Sequence, residues 1–152
     1  MMNSDSFEII EFDNRKHRQQ VVALWQNVFG YESDHNSPEL VIDKKIALED
    51  GLFFVASVEY NVIGTVMAGY DGHRGWIYSM AVLPDHQKKG IGSALLKYIE
   101  EKLSALGCLK VNLQIMEGNE PVEKFYKANG YSTEKRISMG KRLYERKALN
   151  MK

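Results

Sequence analysis

The sequence predicts an α/β (α+β) fold, in which a mixed central sheet of six to seven strands carries about four helices on its faces. Short runs rich in β-branched and aromatic residues alternate with longer segments whose apolar residues repeat at helical spacing. The resulting order is β, α, α, β, β, β, α, β, α, β, β, and the last one or two strands are the least distinct. With 152 residues, 44% of them hydrophobic, the chain is predicted to form one domain over residues 1–152.

The first elements are a strand and an amphipathic helix. Phe7 to Phe12 alternates apolar and polar residues, which is the period of a half-buried strand. Asp13 or Asn14 then offers a side-chain cap to a helix from about Lys16 to Phe29, and Gly30 follows where a helix commonly ends.

A second helix and a hairpin come next. Ser37 and Pro38 form an N-cap and a first helical residue with a fixed φ, and Gly51 is expected to end this helix. Leu52 to Val58 and Val62 to Tyr70 are strand-like runs separated by three residues, which predicts a β-hairpin.

The second half of the chain continues with alternating strands and helices. Trp76 to Leu83 is a predicted strand, and Pro84 closes it because proline lacks a backbone donor. The helix after it has an apolar stripe at helical spacing, formed by Ile91, Leu95, Ile99, Leu103 and Leu106. The remaining predicted elements are a strand from Lys110 to Ile115, a helix from Pro121 to about Asn129, and one or two closing strands within Tyr131 to Tyr144.

Composition excludes several classes of function. Twenty basic and twenty acidic residues cancel, so the chain lacks the positive field that nucleic-acid binding requires. No apolar run approaches the roughly 20 residues of a membrane span, and the acidic N-terminal segment does not resemble a signal peptide. Cys108 stands alone and is expected to be a buried small hydrophobe, which favours a reducing, cytoplasmic location. The four histidines share no metal-ligand spacing, so we expect no metal.

A glycine turn before a helix is the strongest chemical signal in the chain. Gly90 and Gly92 lack a Cβ, so a ligand can approach the backbone at the positive end of the helix dipole, and phosphate is the usual occupant. Lys88 and Lys89 add positive charge. The turn fits neither a dinucleotide-binding fingerprint, which needs glycine where Leu95 stands, nor a P-loop, because no lysine follows the second glycine.

Two stretches together resemble the Gcn5-related N-acetyltransferase (GNAT) family. QKKGIG, from Gln87 to Gly92, follows MAVLP and precedes a helix, and it is similar to the family motif of Gln or Arg, two residues, Gly, one residue, then Gly or Ala. NEPVEKFY, from Asn119 to Tyr126 with Gly130-Tyr131 after it, lies where the family has its second motif. GTVMAGYDGHRG further resembles the YpeA-like bacterial branch.

The resemblance implies a GNAT fold and acetyl-coenzyme A as co-substrate. The coenzyme's pyrophosphate would lie on the turn, and its pantetheine arm between strand 76–83 and strand 110–115, which splay apart. The implied coenzyme-binding residues are Met80, Ala81, Val82, Gln87, Lys88, Lys89, Gly90, Ile91, Gly92, Ser93, Asn119, Phe125 and Tyr126.

The resemblance also implies roles in acetyl transfer to a primary amine. The main-chain N–H near Met80 would meet the charge that develops on the thioester oxygen. Tyr126 would reprotonate the leaving thiolate, because a phenol holds its proton at neutral pH. Many family members place a glutamate on or beside strand 76–83, but this strand has no carboxylate. The base could therefore be Glu117, or a water chain guided by Tyr78 and Ser79. His73, in the turn before the strand, could also accept a proton, although a histidine in such a turn is more often simply solvent-exposed.

The acceptor and the assembly stay open at this level. A small molecule or a protein could supply the amine, and the resemblance assigns its site to about residues 28–48 and the turn before strand 76–83. A coenzyme A sensor or interaction module without turnover is the alternative function, because the strand carboxylate is missing. The resemblance makes a homodimer plausible.

Overall fold

A five-stranded mixed sheet with the spatial order β1-β2-β3-β4-β5 organises the first part of the chain. The computed structural model describes residues 6–30 and 34–145. The chain divides into two compact units between Leu113 and Gln114. The elements of the first unit are β1 (Glu8–Glu11), α1 (Asn14–Val28), α2 (Pro38–Leu48), β2 (Phe53–Val58), β3 (Asn61–Tyr70), β4 (Gly75–Val82), α3 (Ile91–Ala105) and β5 (Val111–Asn112).

Helix α1 forms where the sequence predicts it. The Asp13 carboxylate accepts hydrogen bonds from the backbone N–H groups of Arg15 and Lys16, both at 3.0 Å. In return, the backbone N–H of Asp13 donates to Nδ1 of His17 at 2.9 Å. The reciprocal pair satisfies donors that the first helical turn leaves open, so Asp13 is the cap of the two predicted candidates.

Helix α2 begins at Pro38, as predicted, but it ends at Leu48 rather than at Gly51. Glu49 ends the helix because it adopts a left-handed conformation with φ of 49°. Its backbone N–H donates to the carbonyl oxygen of Ile46, three residues earlier. Arg18 of α1 forms ion pairs with Glu39 and Asp43 of α2 at 2.6 and 2.7 Å. These bonds link the two helices along their exposed side.

The predicted hairpin consists of β2 and β3, which pair antiparallel. Glu59 and Tyr60 connect the strands with φ of 48° and 72°, the left-handed geometry that suits the twist of a tight hairpin. Within β3, Thr65 contacts Trp25 of α1, while a Cβ on Gly64 would meet Leu95 of α3. Because successive strand residues point to opposite faces, α1 and α3 lie on opposite sides of the sheet.

The core surrounds these contacts. Val21, Leu24 and Trp25 of α1 are buried against β2, β3 and β4. On α3 the predicted stripe is buried at Ile91, Leu95, Ile99 and Leu103, but Leu106 is 54% exposed because the helix has ended at Ala105. Cys108 is buried and free, as predicted.

The second unit contains α4 (Glu120–Ala128). Residues 131–145 follow it without an assigned strand, and Ile137, Met139 and Leu143 are each at least 90% exposed. The predicted closing strands within residues 131–144 are therefore wrong for the described chain. A strand needs a partner edge as well as suitable residues, and the sequence does not show whether such an edge is present.

The sheet is consequently smaller than predicted. Five strands, not six to seven, are formed by the described residues. The predicted strand 110–115 contracts to β5, Val111–Asn112, which is the parallel partner of β4. The mixed sheet and the four helices are confirmed.

Candidate functional site

A β-bulge interrupts β4 in the middle of the predicted coenzyme strand. Thr65 of β3 pairs with Ala81, while Met67 pairs with Tyr78, so two steps along β3 oppose three along β4. Ser79 lies at the extra step with φ of 49°, a left-handed conformation that non-glycine residues adopt only at a cost. Such strain persists only where the surrounding structure holds it, and it is common near functional sites.

A buried hydrogen-bond chain holds this bulge. Nε1 of Trp25 donates to Oγ1 of Thr65 at 2.8 Å, and the Thr65 hydroxyl donates to the carbonyl oxygen of Ser79 at 2.8 Å. Thr65 is fully buried and Trp25 is 3% exposed. The buried Thr65 hydroxyl thus accepts one hydrogen bond and donates another. Any other arrangement would leave a buried donor or acceptor without a partner, so this one is strongly favoured.

The edge of β4 that faces away from β3 opens a short distance along the strand. β4 pairs with β5 only through Gly75 with Val111 and Trp76 with Asn112. Beyond Trp76, no paired strand is assigned on this edge within the described ranges. The opening extends from the bulge to the end of β4 at Val82.

The glycine turn lies directly beyond the open edge. A 3₁₀ turn from Pro84–His86 leads into it, and Lys88 and Gly90 take left-handed φ of 63° and 85°. Gly90 is the N-cap of α3, contributes no side-chain cap, and has nothing within 4 Å of the position that a Cβ would occupy. The first backbone N–H groups of α3 have no acceptor within the helix and lie at the positive end of the helix dipole.

Charge and packing around the turn suit an anion. Lys88 and Lys89 are exposed, and the first turn of α3 carries no acidic residue. Ile91 is 3% exposed, so its side chain packs into the core. A Cβ on Gly64 would lie 3.0 Å from the Ala81 carbonyl oxygen, so glycine there permits the close packing that brings α3 against the end of β4.

Gln87 has a partner that the motif does not predict. Its Nε2 donates to the carbonyl oxygen of Val82 at 2.9 Å. The side chain thus ties the glycine turn to the last residue of β4, and the Val82 carbonyl is already engaged.

The remaining predicted site residues lie in the second unit. Oδ1 of Asn119 accepts from the backbone N–H of Val122 at 3.4 Å and caps α4. Tyr126 is 7% exposed, and its ring packs edge-on against Phe125 and Tyr131 at centroid distances of 5.0 and 5.5 Å. Burial raises the pKa of the Tyr126 phenol to about 12. The phenol therefore keeps its proton throughout the physiological range.

Glu117 and the polar side chains on and just before β4 have different surroundings. Glu117 is exposed in the segment before α4. Asp71 accepts from the backbone N–H groups of His73 and Arg74, both at 2.7 Å, and these bonds lower the pKa of its carboxyl. Partial burial, with a smaller effect from Asp71, raises the pKa of the Tyr78 phenol. Tyr78 therefore holds its proton more firmly than a free phenol.

The described residues contain neither a candidate metal cluster nor a candidate membrane span. No three His, Cys, Asp or Glu side chains in residues 6–30 and 34–145 cluster as a metal ion would require. In the same ranges, no helix is both long enough and apolar enough to cross a membrane.

Comparison with known proteins decides the family. The model of the acetyltransferase (GNAT) family matches residues 13–131. The chain belongs to this family. An acetyltransferase from Yersinia pestis (strain Pestoides F) is 39% identical over 125 residues, which cover 82% of this chain and 88% of that protein. The predicted family and acetyltransferase class are thereby confirmed, while the YpeA-like branch stays a prediction.

Solved structures show that this GNAT chain has the expected fold. The PaiA N-acetyltransferase from Thermoplasma acidophilum, in complex with coenzyme A, superposes with a TM-score of 0.75 at 19% identity, covering 87% of this chain and 93% of that one. The aminoglycoside N-acetyltransferase AAC(6')-Iy, in complex with CoA, gives a TM-score of 0.74 at 17% identity, covering 91% and 96%. The fold is shared although few residues are identical.

The sequence-level interpretation of this GNAT protein missed the hydrogen bonds that shape β4. Thr65 and Trp25 belong to no recognised motif, and their partners lie 14 to 40 residues away in sequence. One signal was available, because Thr65 is a polar residue within the apolar run of β3. A buried polar residue in such a run needs a hydrogen-bond partner, but the sequence does not identify it.

Proposed function

We propose that this GNAT protein transfers the acetyl group of acetyl-coenzyme A to a primary amine of a small molecule or protein. The carrying observation is the continuity of the open edge of β4, from the bulge at Ser79 to Val82, with the glycine turn at the start of α3. A ligand with an extended polar arm and a diphosphate matches both parts, and acetyl-coenzyme A has this form.

The turn supports diphosphate binding. The backbone N–H groups of Ile91, Gly92 and Ser93 have no acceptor within α3, and a Cβ at Gly90 would meet nothing within 4 Å. Lys88 and Lys89 supply charge without fixed geometry. The turn therefore provides directional bonds from the backbone and attraction from the side chains.

The open edge of β4 supports binding of the pantetheine arm. Amide groups of the arm would bond to the backbone of β4 in the residues 80–82, much as an added strand does. Because Gln87 already occupies the Val82 carbonyl, we assign the arm's contact at Val82 to its N–H group. Asn119 and Phe125 remain proposed coenzyme contacts.

When bound, acetyl-coenzyme A supplies a thioester whose acetyl carbon accepts the amine. A bond forms between carbon and nitrogen, the bond between carbon and sulfur breaks, and one proton must pass from nitrogen to sulfur. We assign the main-chain N–H of Met80 to the developing charge on the thioester oxygen. A lysine-like amine must also lose a proton first, which costs roughly 4.6 kcal/mol at pH 7.

Tyr126 is the proposed donor to the departing sulfur. Its phenol, with a pKa of about 12, is a weaker acid than a thiol of reference pKa about 8.5. Complete proton transfer from the phenol to the thiolate is uphill by about 5 kcal/mol if nothing else changes. The proton that the amine loses must therefore replace the phenol's proton in the same step. Glu117, or water near Tyr78 and Ser79, is the proposed acceptor of the amine's first proton.

The test is calorimetric titration with acetyl-coenzyme A, followed by thiol release across a panel of small amines and lysine peptides. Binding together with amine-dependent thiol release supports the proposal. Tight binding, with no amine raising thiol release above the rate of hydrolysis, would favour a coenzyme A sensor. The absence of a carboxylate in β4 is consistent with that alternative. No binding of any coenzyme A species would overturn both functions.

Three broader properties belong to the same proposal. We expect residues 1–152 to act as one domain, and a homodimer is the assembly to test by light scattering. The free Cys108 and the intracellular supply of acetyl-coenzyme A favour the cytoplasm.

A further inference from the structure

We infer that Thr65, locked by Trp25, is a positioning residue that aims the Met80 main-chain N–H at the substrate's thioester carbonyl. This inference rests on the proposed function. It extends that function to two residues that lie outside both motifs and on different elements from the coenzyme strand.

The geometry begins with one peptide unit. The carbonyl of Ser79 and the N–H of Met80 belong to the same planar group, and the described chain contains no cis peptide bond. In a trans peptide unit the C=O and N–H bonds point in opposite directions. A hydrogen bond that fixes the direction of the Ser79 oxygen therefore fixes the direction of the Met80 N–H as well.

Thr65 provides that hydrogen bond. Its hydroxyl donates to the Ser79 oxygen at 2.8 Å from β3, so the Met80 N–H points away from β3. On that side, β4 has lost its pairing with β5 after Trp76. The N–H is thus directed toward the open edge, where the proposed co-substrate lies.

Trp25 sets the direction of the Thr65 hydroxyl. A hydroxyl group has one hydrogen to donate, and it can rotate to several acceptors. Because Trp25 Nε1 can only donate, it occupies a lone pair of Oγ1 and leaves the hydroxyl hydrogen for Ser79. Burial of both side chains excludes water that could compete for these bonds.

The hydrogen bond from Thr65 also holds the bulge at Ser79 in place. Ser79 is held at φ of 49°, which a regular strand would not adopt, and the Thr65 bond contacts this residue's own carbonyl. Loss of the bond allows the peptide unit to rotate toward ordinary strand geometry. A donor that rotates stabilises developing charge poorly, because stabilisation depends on its being aimed before the reaction.

The decisive variant is Thr65→Val, which keeps the shape of the side chain and removes the hydroxyl. We expect kcat to fall about 10- to 100-fold with every amine that the wild-type protein accepts, since the thioester carbonyl is common to all of them. The Kd for coenzyme A should stay within about twofold, because the glycine turn is untouched. Thr65→Ser, which restores the hydroxyl, should recover most of the activity.

Two measurements separate aiming from stability. Ser57→Ala removes another buried strand hydroxyl, on β2, and should lower Tm without lowering kcat when assayed below its Tm. Infrared difference spectra of bound acetyl-coenzyme A with a carbon-13 carbonyl should show a lowered C=O frequency in the wild type. Thr65→Val should shift that frequency back toward the value in water, and Trp25→Phe should give a smaller shift in the same direction.

The possible outcomes distinguish the positioning role from the proposed function. If the wild type turns over an amine and Thr65→Val has the same kcat and C=O frequency, the positioning role is overturned and the proposed function stands. Should Thr65→Val fail to fold, Trp25→Phe with wild-type kcat and frequency would overturn it equally. Failure of the wild type to turn over any amine would instead overturn the proposed function, and this inference with it.

Discussion

The side-chain amide of Gln87 donates to the carbonyl oxygen of Val82 at 2.9 Å, which joins the glycine turn to the end of β4. Gln87→Ala should therefore raise the KM for acetyl-coenzyme A by about 5- to 10-fold, the equivalent of one net hydrogen bond. Turnover at saturation should change little. Steady-state kinetics checks this, with Gln26→Ala, an exposed α1 glutamine, as the control. An unchanged KM would show that the turn holds its shape without Gln87.

Gly90→Glu should abolish coenzyme binding, because it places an anionic side chain in the open space before the first N–H groups of α3. Gly107→Glu is the matched control, since Gly107 has a similar φ of 94° and equally open surroundings at the other end of α3. Both variants carry the same backbone strain and charge. Calorimetry should detect binding only in the control, and near-normal affinity of Gly90→Glu would refute the diphosphate placement.

Tyr126→Phe should lower kcat by about 10- to 1,000-fold and leave the Kd for coenzyme A nearly unchanged. The ring contacts with Phe125 and Tyr131 survive the substitution, so only the phenolic hydroxyl is lost. Tyr131→Phe serves as the control. Because burial raises the pKa of Tyr126 to about 12, ionisation of this group should not reduce kcat up to pH 10. Equal kcat in wild type and Tyr126→Phe would assign this ring to packing.

Acid should destabilise the fold through His17. The imidazole is buried and accepts from the backbone N–H of Asp13, and burial lowers its pKa below the usual 6.5. The unfolded chain therefore binds a proton more readily, and this contribution to the free energy of unfolding is lost as pH falls below about 6.5. Urea titrations at pH 8 and 5.5 should show a smaller loss for His17→Gln, which keeps an acceptor without titrating. An equal loss in both proteins would exclude His17 as the cause.

Gly64→Ala should destabilise the protein by about 1–3 kcal/mol, the usual cost of overpacking. The new Cβ would lie 3.0 Å from both the Ala81 carbonyl oxygen and a Leu95 methyl group. Gly69→Ala is the control in the same strand, because its Cβ would meet Tyr78 at an ordinary 3.5 Å. Denaturant titration of both variants checks the difference, and equal stabilities would mean that α3 can shift without cost.

Local signals predicted much of the fold correctly. Asp13 caps α1, Pro38 begins α2, and the hairpin and the turn before α3 form where the sequence places them. Each of these features depends on residues within a few positions of one another. Strand 110–115 and the strands within residues 131–144 were overestimated, because the residues of a segment do not reveal whether a neighbouring edge accepts it as a strand.

The amino-acid sequence by itself determined the family and the glycine turn at Gly90, and it singled out Tyr126 in the second motif. Motifs and their spacing carry that information. Only the tertiary structure decided the shape of β4. The contacts of Ser79 with Thr65, and of Thr65 with Trp25, join β4, β3 and α1. Hydrogen bonds between elements distant in sequence arise only when packing brings the elements together, so no local pattern could predict them.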